Sequence, residues 1–157
     1  MTPPARFRRA HPDDAPAITR LMLRSKRHWG YSEAFMAATS PAMSLEPEDL
    51  ERPTDRVEVL EMEGELLGLF RLRRHTELAF LEDLFVDPAA MGRGYGRMLF
   101  ERAAEVGRDW GLGVMEFESD PYAESFYRHL GAERVSMSPS TLVPGRSIPL
   151  MRFALWR

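Results

Sequence analysis

The chain contains no cysteine. That excludes disulfides, a thiolate metal site and a cysteine nucleophile, so any acyl transfer must run without a cysteinyl intermediate, and it fits a reducing, cytoplasmic setting. Histidine is sparse as well: His11, His28, His75 and His129 stand apart, with no His-x-x-x-His or paired-acid spacing, and no metal is expected. No run approaches the ~20 apolar residues of a membrane span. The stretch Met1–Arg6 lacks the apolar core of a signal peptide, so a soluble, unprocessed protein with no membrane partner is expected. Basic excess is missing too. A net charge of −3 and a pI near 5.8 argue against a nucleic-acid partner, which needs a cationic face to neutralise phosphates. What remains is 157 residues, 44% of them hydrophobic, which suits one domain over 1–157 with a single-domain core.

The most informative stretch runs from Leu84 to Arg97, where Leu84-Phe85-Val86 reads as a short apolar strand and Gly92, Gly94 and Gly96 form a turn ahead of an amphipathic helix. A helix that starts after such a turn leaves its first backbone N–H groups unpaired and concentrates partial positive charge there. Glycines let the main chain approach an anion and take positive φ without a Cβ clash. Arg93 and Arg97 add full charges, so the ligand expected is a pyrophosphate or polyphosphate. A P-loop is excluded, because Gly96 is followed by Arg97-Met98 rather than by Lys and Ser or Thr. A dinucleotide fold is disfavoured, since the turn lies past mid-chain and its glycines alternate.

The rest of the chain sorts into short elements. Arg6–Ala10 reads as a strand, and Ala15, Ile18, Leu21, Met22 and Ser25 recur at helical spacing. A second helix carries Phe35-Met36 and breaks near Pro41. Val57–Glu61 and Leu66–Leu72 flank a turn at Glu63-Gly64, which predicts a β-hairpin. Strands follow over Glu77–Val86, Val114–Glu118, Ala132–Val135 and Leu150–Leu155, with a helix from Gly94 to about Trp110 and a Pro/Ser/Gly-rich loop through Arg146. A short helix opens at Asp120 as N-cap with Pro121 at N1, turns Ala123, Phe126, Tyr127 and Leu130 to one face, and stops at Gly131. The β-α-β order from Glu77 to Glu118 predicts a parallel pair. The fold class is therefore mixed α/β, antiparallel strands first and a parallel pair in the middle, flanked by about four helices.

Two segments carry a family resemblance. Met91-Gly92-Arg93-Gly94-Tyr95-Gly96 is similar to the Gln/Arg-x-x-Gly-x-Gly/Ala signature of the GCN5-related N-acetyltransferase (GNAT) superfamily, with Met91 in place of Gln or Arg. Asp120–Ala132 resembles that superfamily's Asn-x-x-Ala-x-x-Phe-Tyr-x-x-x-Gly-Phe, with Asp120 in place of Asn. The resemblance implies a splayed parallel pair and transfer of an acetyl group from acetyl-CoA to a primary amine by direct attack in a ternary complex. It implies cofactor contacts from Leu84, Phe85, Val86, Met91, Gly92, Arg93, Gly94, Tyr95, Gly96, Arg97 and Asp120, with Tyr127 as the acid that protonates the departing sulfur. The same resemblance offers Glu82 as base for the amine. By strand alternation Glu82 shares the face of Leu84 and Val86 and Asp83 faces the other way, with Glu116 and Glu118 as competitors. His28, Trp29 and Tyr31 fall where the family walls its acceptor pocket. The acceptor is a small-molecule or peptide amine, and a second copy, as a homodimer, is the other partner considered. Two rivals stand beside this reading. A non-catalytic acyl-CoA-binding or sensing module would show Glu82 and Tyr127 dispensable, and a nucleotide-binding protein would take ATP or NAD in preference to CoA.

Overall fold

In a computed structural model, residues 4–156 are described; Met1–Pro3 and Arg157, the ends of the domain expected over 1–157, lie outside the described residues. Strands β1 (Arg6–Arg9), β2 (Asp55–Met62), β3 (Glu65–Arg74), β4 (Ala79–Val86), β5 (Val114–Glu118), β6 (Glu133–Pro139) and β7 (Ser147–Ala154) build one sheet in the order β1-β2-β3-β4-β5-β7-β6. Every neighbouring pair is antiparallel except β4 and β5. Helices α1 (Ala15–Arg27), α2 (Glu33–Thr39), α3 (Tyr95–Asp109) and α4 (Glu124–His129) complete it. This is the mixed α/β class the element order implied. The hairpin turn at Glu63-Gly64 takes φ 50° and 81°, the paired left-handed conformation that matches the twist of a tight β-hairpin.

Alternation along the central strands feeds two separate cores. Leu60, Phe70 and Leu72 pack with Leu99, Phe100 and Ala103 of α3, while Val59 and Leu69, one position away, pack with Ile18, Leu21 and Met22 of α1. Gly68 on β3 permits close approach: a Cβ there would sit 2.6 Å from the Phe85 carbonyl oxygen and 2.7 Å from Leu99 Cδ1. Helix α3 is further tied to the sheet by Arg102, whose guanidinium meets the buried Glu58 carboxylate at 2.9 Å, with Arg56 on the same carboxylate at 2.8 Å.

Two expectations need correction. Strands β6 and β7 are longer than predicted, pairing out to Pro139 and Ser147, so the loop between them shrinks to 140–146. The edge strand β6 is exposed along nearly all its length and shows no apolar alternation, which is why Ser136 and Ser138 read as loop. Phe126, expected on the inner face of its helix, is 37% exposed. Residues Pro121–Ala123 form a 3-10 turn before α4 begins, and at three residues per turn rather than 3.6 that turn shifts the phase of everything after it.

Replacing Gly68 by Ala pushes a methyl into a backbone oxygen that cannot rotate away. Urea unfolding of Gly68→Ala is expected to show a loss of about 1–3 kcal/mol, the ordinary cost of overpacking a core.

Candidate functional site

Strands β4 and β5 pair only at Ala79↔Met115 and Phe80↔Glu116. Beyond Phe80 they diverge, and the gap opens into a cavity of about 650 Å³ lined on one side by Leu81–Val86 and on the other by Phe117–Asp120. The edge of Leu84, Phe85 and Val86 that faces β5 therefore has no strand partner. At the end of β4, Asp87 accepts from Ala89 N at 3.0 Å and from Arg24 of α1 at 2.5 Å, which fixes the start of the glycine turn and holds its carboxyl below the usual range. Gly92 and Gly94 take φ 79° and 83°, and a Cβ on either would meet nothing within 4 Å. The requirement for glycine there is conformational, and the backbone lies open. Helix α3 starts at Tyr95 with Gly94 as its left-handed N-cap and no side-chain cap, so its first N–H donors are uncommitted.

Met91, Gly92, Gly94, Tyr95, Gly96 and Arg97 line the cavity. Arg93 is exposed and stands outside this lining, and Arg97 shares an exposed pair with Glu101 at 2.9 Å. Phe126 lies against Gly96, where a Cβ would come within 3.1 Å of its ring. Tyr127 is only 8% exposed and packs on Phe117 with ring centroids 4.6 Å apart. Its hydroxyl has no protein partner among the described residues, yet no buried side-chain oxygen there is unsatisfied. The hydroxyl therefore reaches solvent in the cavity that Tyr127 lines. Burial, assisted by the Asp120 charge, pushes the phenol well above its ordinary pKa of 10.

Glu82 does not share a face with Leu84 and Val86 as simple alternation predicts. Register with β3 jumps from Leu72↔Leu81 to Arg71↔Asp83, which leaves Glu82 as the extra residue of a β-bulge. The bulge resets the parity of β4: Leu81, Leu84 and Val86 all face the α3 core, and both acids turn to the other side of the sheet. There Glu82 pairs with Arg73 at 3.1 Å, Asp83 with Arg71 at 2.9 Å, and both arginines reach the buried Asp55. Both Glu82 and Asp83 line the cavity, so Asp83, set aside by alternation, belongs to the site. Burial pushes its carboxyl up, against the pull of Arg71. Of the competing acids, Glu118 lines the cavity, whereas Glu116 is engaged by Arg152 at 2.8 Å outside it.

Asp120 does more than the expected cap. It caps the following turn through Tyr122 N at 2.9 Å, and its carboxylate also takes Lys26 Nζ, the Tyr31 hydroxyl at 2.8 Å and Arg146 at 3.5 Å. Its two oxygens are thus shared among four donors of the protein, and Asp120 lines the cavity. These partners hold its carboxyl below the usual range against the opposing effect of burial. Tyr31 stands behind the cavity wall, bonded to Asp120 and stacked on Phe35 with centroids 3.9 Å apart. Trp29 does line the cavity, 39% exposed and stacked on Tyr122 at 5.6 Å with planes 8° apart. His28 is exposed at its edge and outside the lining. The sequence reading missed Arg146 and Tyr122; the antiparallel return from β6 to β7 was the signal that brings Arg146 to this wall.

An acetyltransferase (GNAT) family model matches residues 18–132, well over half of the chain. The chain belongs to that family. No curated protein matches the sequence, but many solved structures share the GNAT fold. The PaiA N-acetyltransferase of Thermoplasma acidophilum, solved with coenzyme A, superposes with a TM-score of 0.80 at 17% identity over 96% of this chain and 99% of that one. The ribosomal-protein-S18-alanine N-acetyltransferase of Escherichia coli gives 0.72 at 18% identity over 97% and 94%. The yncA protein of Salmonella typhimurium, solved with acetyl-CoA, gives 0.70 at 22% identity over 98% and 95%. Among the described residues of this GNAT chain, no cluster of metal-ligating side chains occurs and no helix is long and apolar enough to cross a membrane.

Because Asp120 titrates lower in the folded protein than its ordinary 3.8, its contribution to stability is present above that value and is lost as pH falls through the lower folded one. Asp120→Asn is expected to cost about 1–3 kcal/mol at pH 7, the range for breaking a mostly buried pair that keeps some solvent contact. Urea unfolding at pH 7 and pH 3 should show the gap between wild type and variant narrowing in acid.

Proposed function

We propose that this GNAT protein is a cytoplasmic N-acetyltransferase that moves an acetyl group from acetyl-CoA to a primary amine, by direct attack while both are bound. The observation that carries the reading is the unpaired edge of β4 leading straight into a left-handed glycine turn with open backbone donors. That arrangement suits a long ligand with an amide-bearing arm and a pyrophosphate: the edge offers the hydrogen bonds of a missing strand, and the uncapped helix start offers an anion site. Acetyl-CoA, when bound, supplies an acetyl group activated as a thioester and a thiolate leaving group.

In this reading the backbone from Gly92 to Gly96 holds the pyrophosphate, with Met91 and Tyr95 beside it and Arg93 and Arg97 adding charge. Leu84, Phe85 and Val86 hold the arm through main-chain groups, and an N–H at Val86 polarises the carbonyl. Tyr127 supplies the proton for the sulfur. Its phenol stays protonated through neutral and alkaline pH, and a thiol of ordinary pKa near ~8.5 is the stronger acid, so the donation is assisted by the growing charge of the transition state. Glu82 accepts the proton of the amine, and the Arg73 guanidinium steadies its carboxylate at the bulge. Asp120 acts as a positioning residue, holding Lys26, Tyr31 and Arg146 in the wall opposite. Holding both partners in one cavity accounts for much of the acceleration.

CoA is expected to raise the melting temperature, since a ligand held only by the folded state contributes about 2.7 kcal/mol at a hundredfold excess over Kd. Gly94→Glu, which sets a carboxylate in the anion site, should abolish that shift. Stabilisation by ATP and not by CoA would count against the proposal.

Tyr127→Phe keeps the ring packed on Phe117 and removes the hydroxyl. Its kcat is expected to fall roughly 10²-fold with little change in acetyl-CoA affinity, the pattern of a lost general acid. Single-turnover measurement of CoA thiol release is the check, and unchanged turnover would leave Tyr127 a packing residue.

A further inference from the structure

Where α1, the turn after β5 and the β6–β7 loop converge on the cavity, two cations meet one carboxylate. Lys26 and Arg146 both contact Asp120, and both line the cavity. Asp120 is shared among four donors, and Lys26 and Arg146 together exceed it by one positive charge; Glu118, the other acid lining that side of the cavity, pairs with neither cation among the described residues. Arg146 uses only Nη2, on Tyr31 at 2.9 Å and on Asp120. Its Nε and Nη1 have no protein partner among the described residues, and because no buried side-chain nitrogen there is unsatisfied, they reach solvent. An arginine side chain only 17% exposed, its guanidinium lying over the rings of Tyr31 and Phe35 with one edge free, is a poor use of charge for structure alone. It is well suited to the planar fork of a carboxylate.

The β4 side of the cavity carries the opposite sign. Glu82 and Asp83 line the cavity there, whereas Arg73 and Arg71, which pair with them, stand outside the lining, so the groups presented beside the expected path of the amine are carboxyls. Ala42, Met43, Leu142 and Ile148 supply apolar lining in the same cavity. We infer that the acceptor is a small amine that also carries a carboxylate, an amino acid or close derivative with an apolar body, whose carboxylate is bound by Arg146 and Lys26. The inference rests on the acetyltransferase reading and assigns its substrate class. An ammonium drawn to one wall and a carboxylate to the other fixes the direction in which the acceptor lies, which a simple amine with a single charge would not do.

The test is CoA thiol release from acetyl-CoA with matched acceptor sets: amino acids with apolar side chains, their amides, and the corresponding decarboxylated amines. The acids are expected to exceed both relatives by about tenfold or more in kcat/KM, the equivalent of one charge-assisted contact. Arg146→Gln should raise KM for the acids about tenfold with a smaller change in kcat and collapse the preference for acid over amide, and Arg146→Lys should restore part of it. Amides or decarboxylated amines used as well as the acids, no turnover of any acid, or an Arg146→Gln effect equal across all three classes would each overturn the inference. The CoA-induced melting shift, measured on wild type and variants, separates the two levels. Wild type that binds CoA but prefers uncharged relatives refutes the substrate class alone, whereas wild type that CoA does not stabilise refutes the acetyltransferase reading and this inference with it.

Discussion

Everything at the site follows from two parallel strands that stop pairing. β4 and β5 share hydrogen-bonding register at two residue pairs and then part, so a sheet of seven strands carries an opening in its middle instead of at an edge. Unpaired backbone groups are costly when buried, and a gap in a sheet persists only when its walls are held from outside. Here β3 clamps β4 along its whole length, β7 clamps β5, and α3 crosses beneath with Gly68 permitting the contact. The groups left free are those of the cavity wall, already spaced for an extended partner.

The bulge at Glu82 gives the same strand two chemistries. One inserted residue lets β4 keep Leu81, Leu84 and Val86 in the α3 core while two acids turn together to the face where α1 packs. Without it, alternation would bury one acid among the α3 residues. Arg71 and Arg73, two positions apart on β3 and so on one face, then meet those acids and Asp55 as a single ionic patch.

The parts of this structure legible in the sequence are those encoded within short windows. The glycine turn, its helix and the hairpin at Glu63-Gly64 each announce themselves by local conformational demands, and the fold class follows from element order. The family motifs added Tyr127. What escaped depends on partners distant in sequence: a bulge is a property of two strands together, so Glu82 and Asp83 were assigned by a parity that their pairing with β3 resets. Asp120 reads locally as a cap and is one, but its bonds to Lys26 and Arg146 arise only when three segments meet. The phase of α4 changed because a 3-10 turn and an α-helix start with the same residues, Asp then Pro.

These two kinds of information divide the cavity into halves of unequal provenance. The half around the glycine turn is assembled from neighbours between Leu84 and Arg97. The wall around Asp120 joins residues 94 positions apart at Lys26 and 26 apart at Arg146. Long loop closures come late in folding, and contacts that depend on them are the first to open when a domain loosens. Such a chain, partly destabilised by heat or by mutation far from the cavity, is expected to open first at the wall that Asp120 ties together, while the glycine turn after β4, built from neighbours in sequence, keeps its shape.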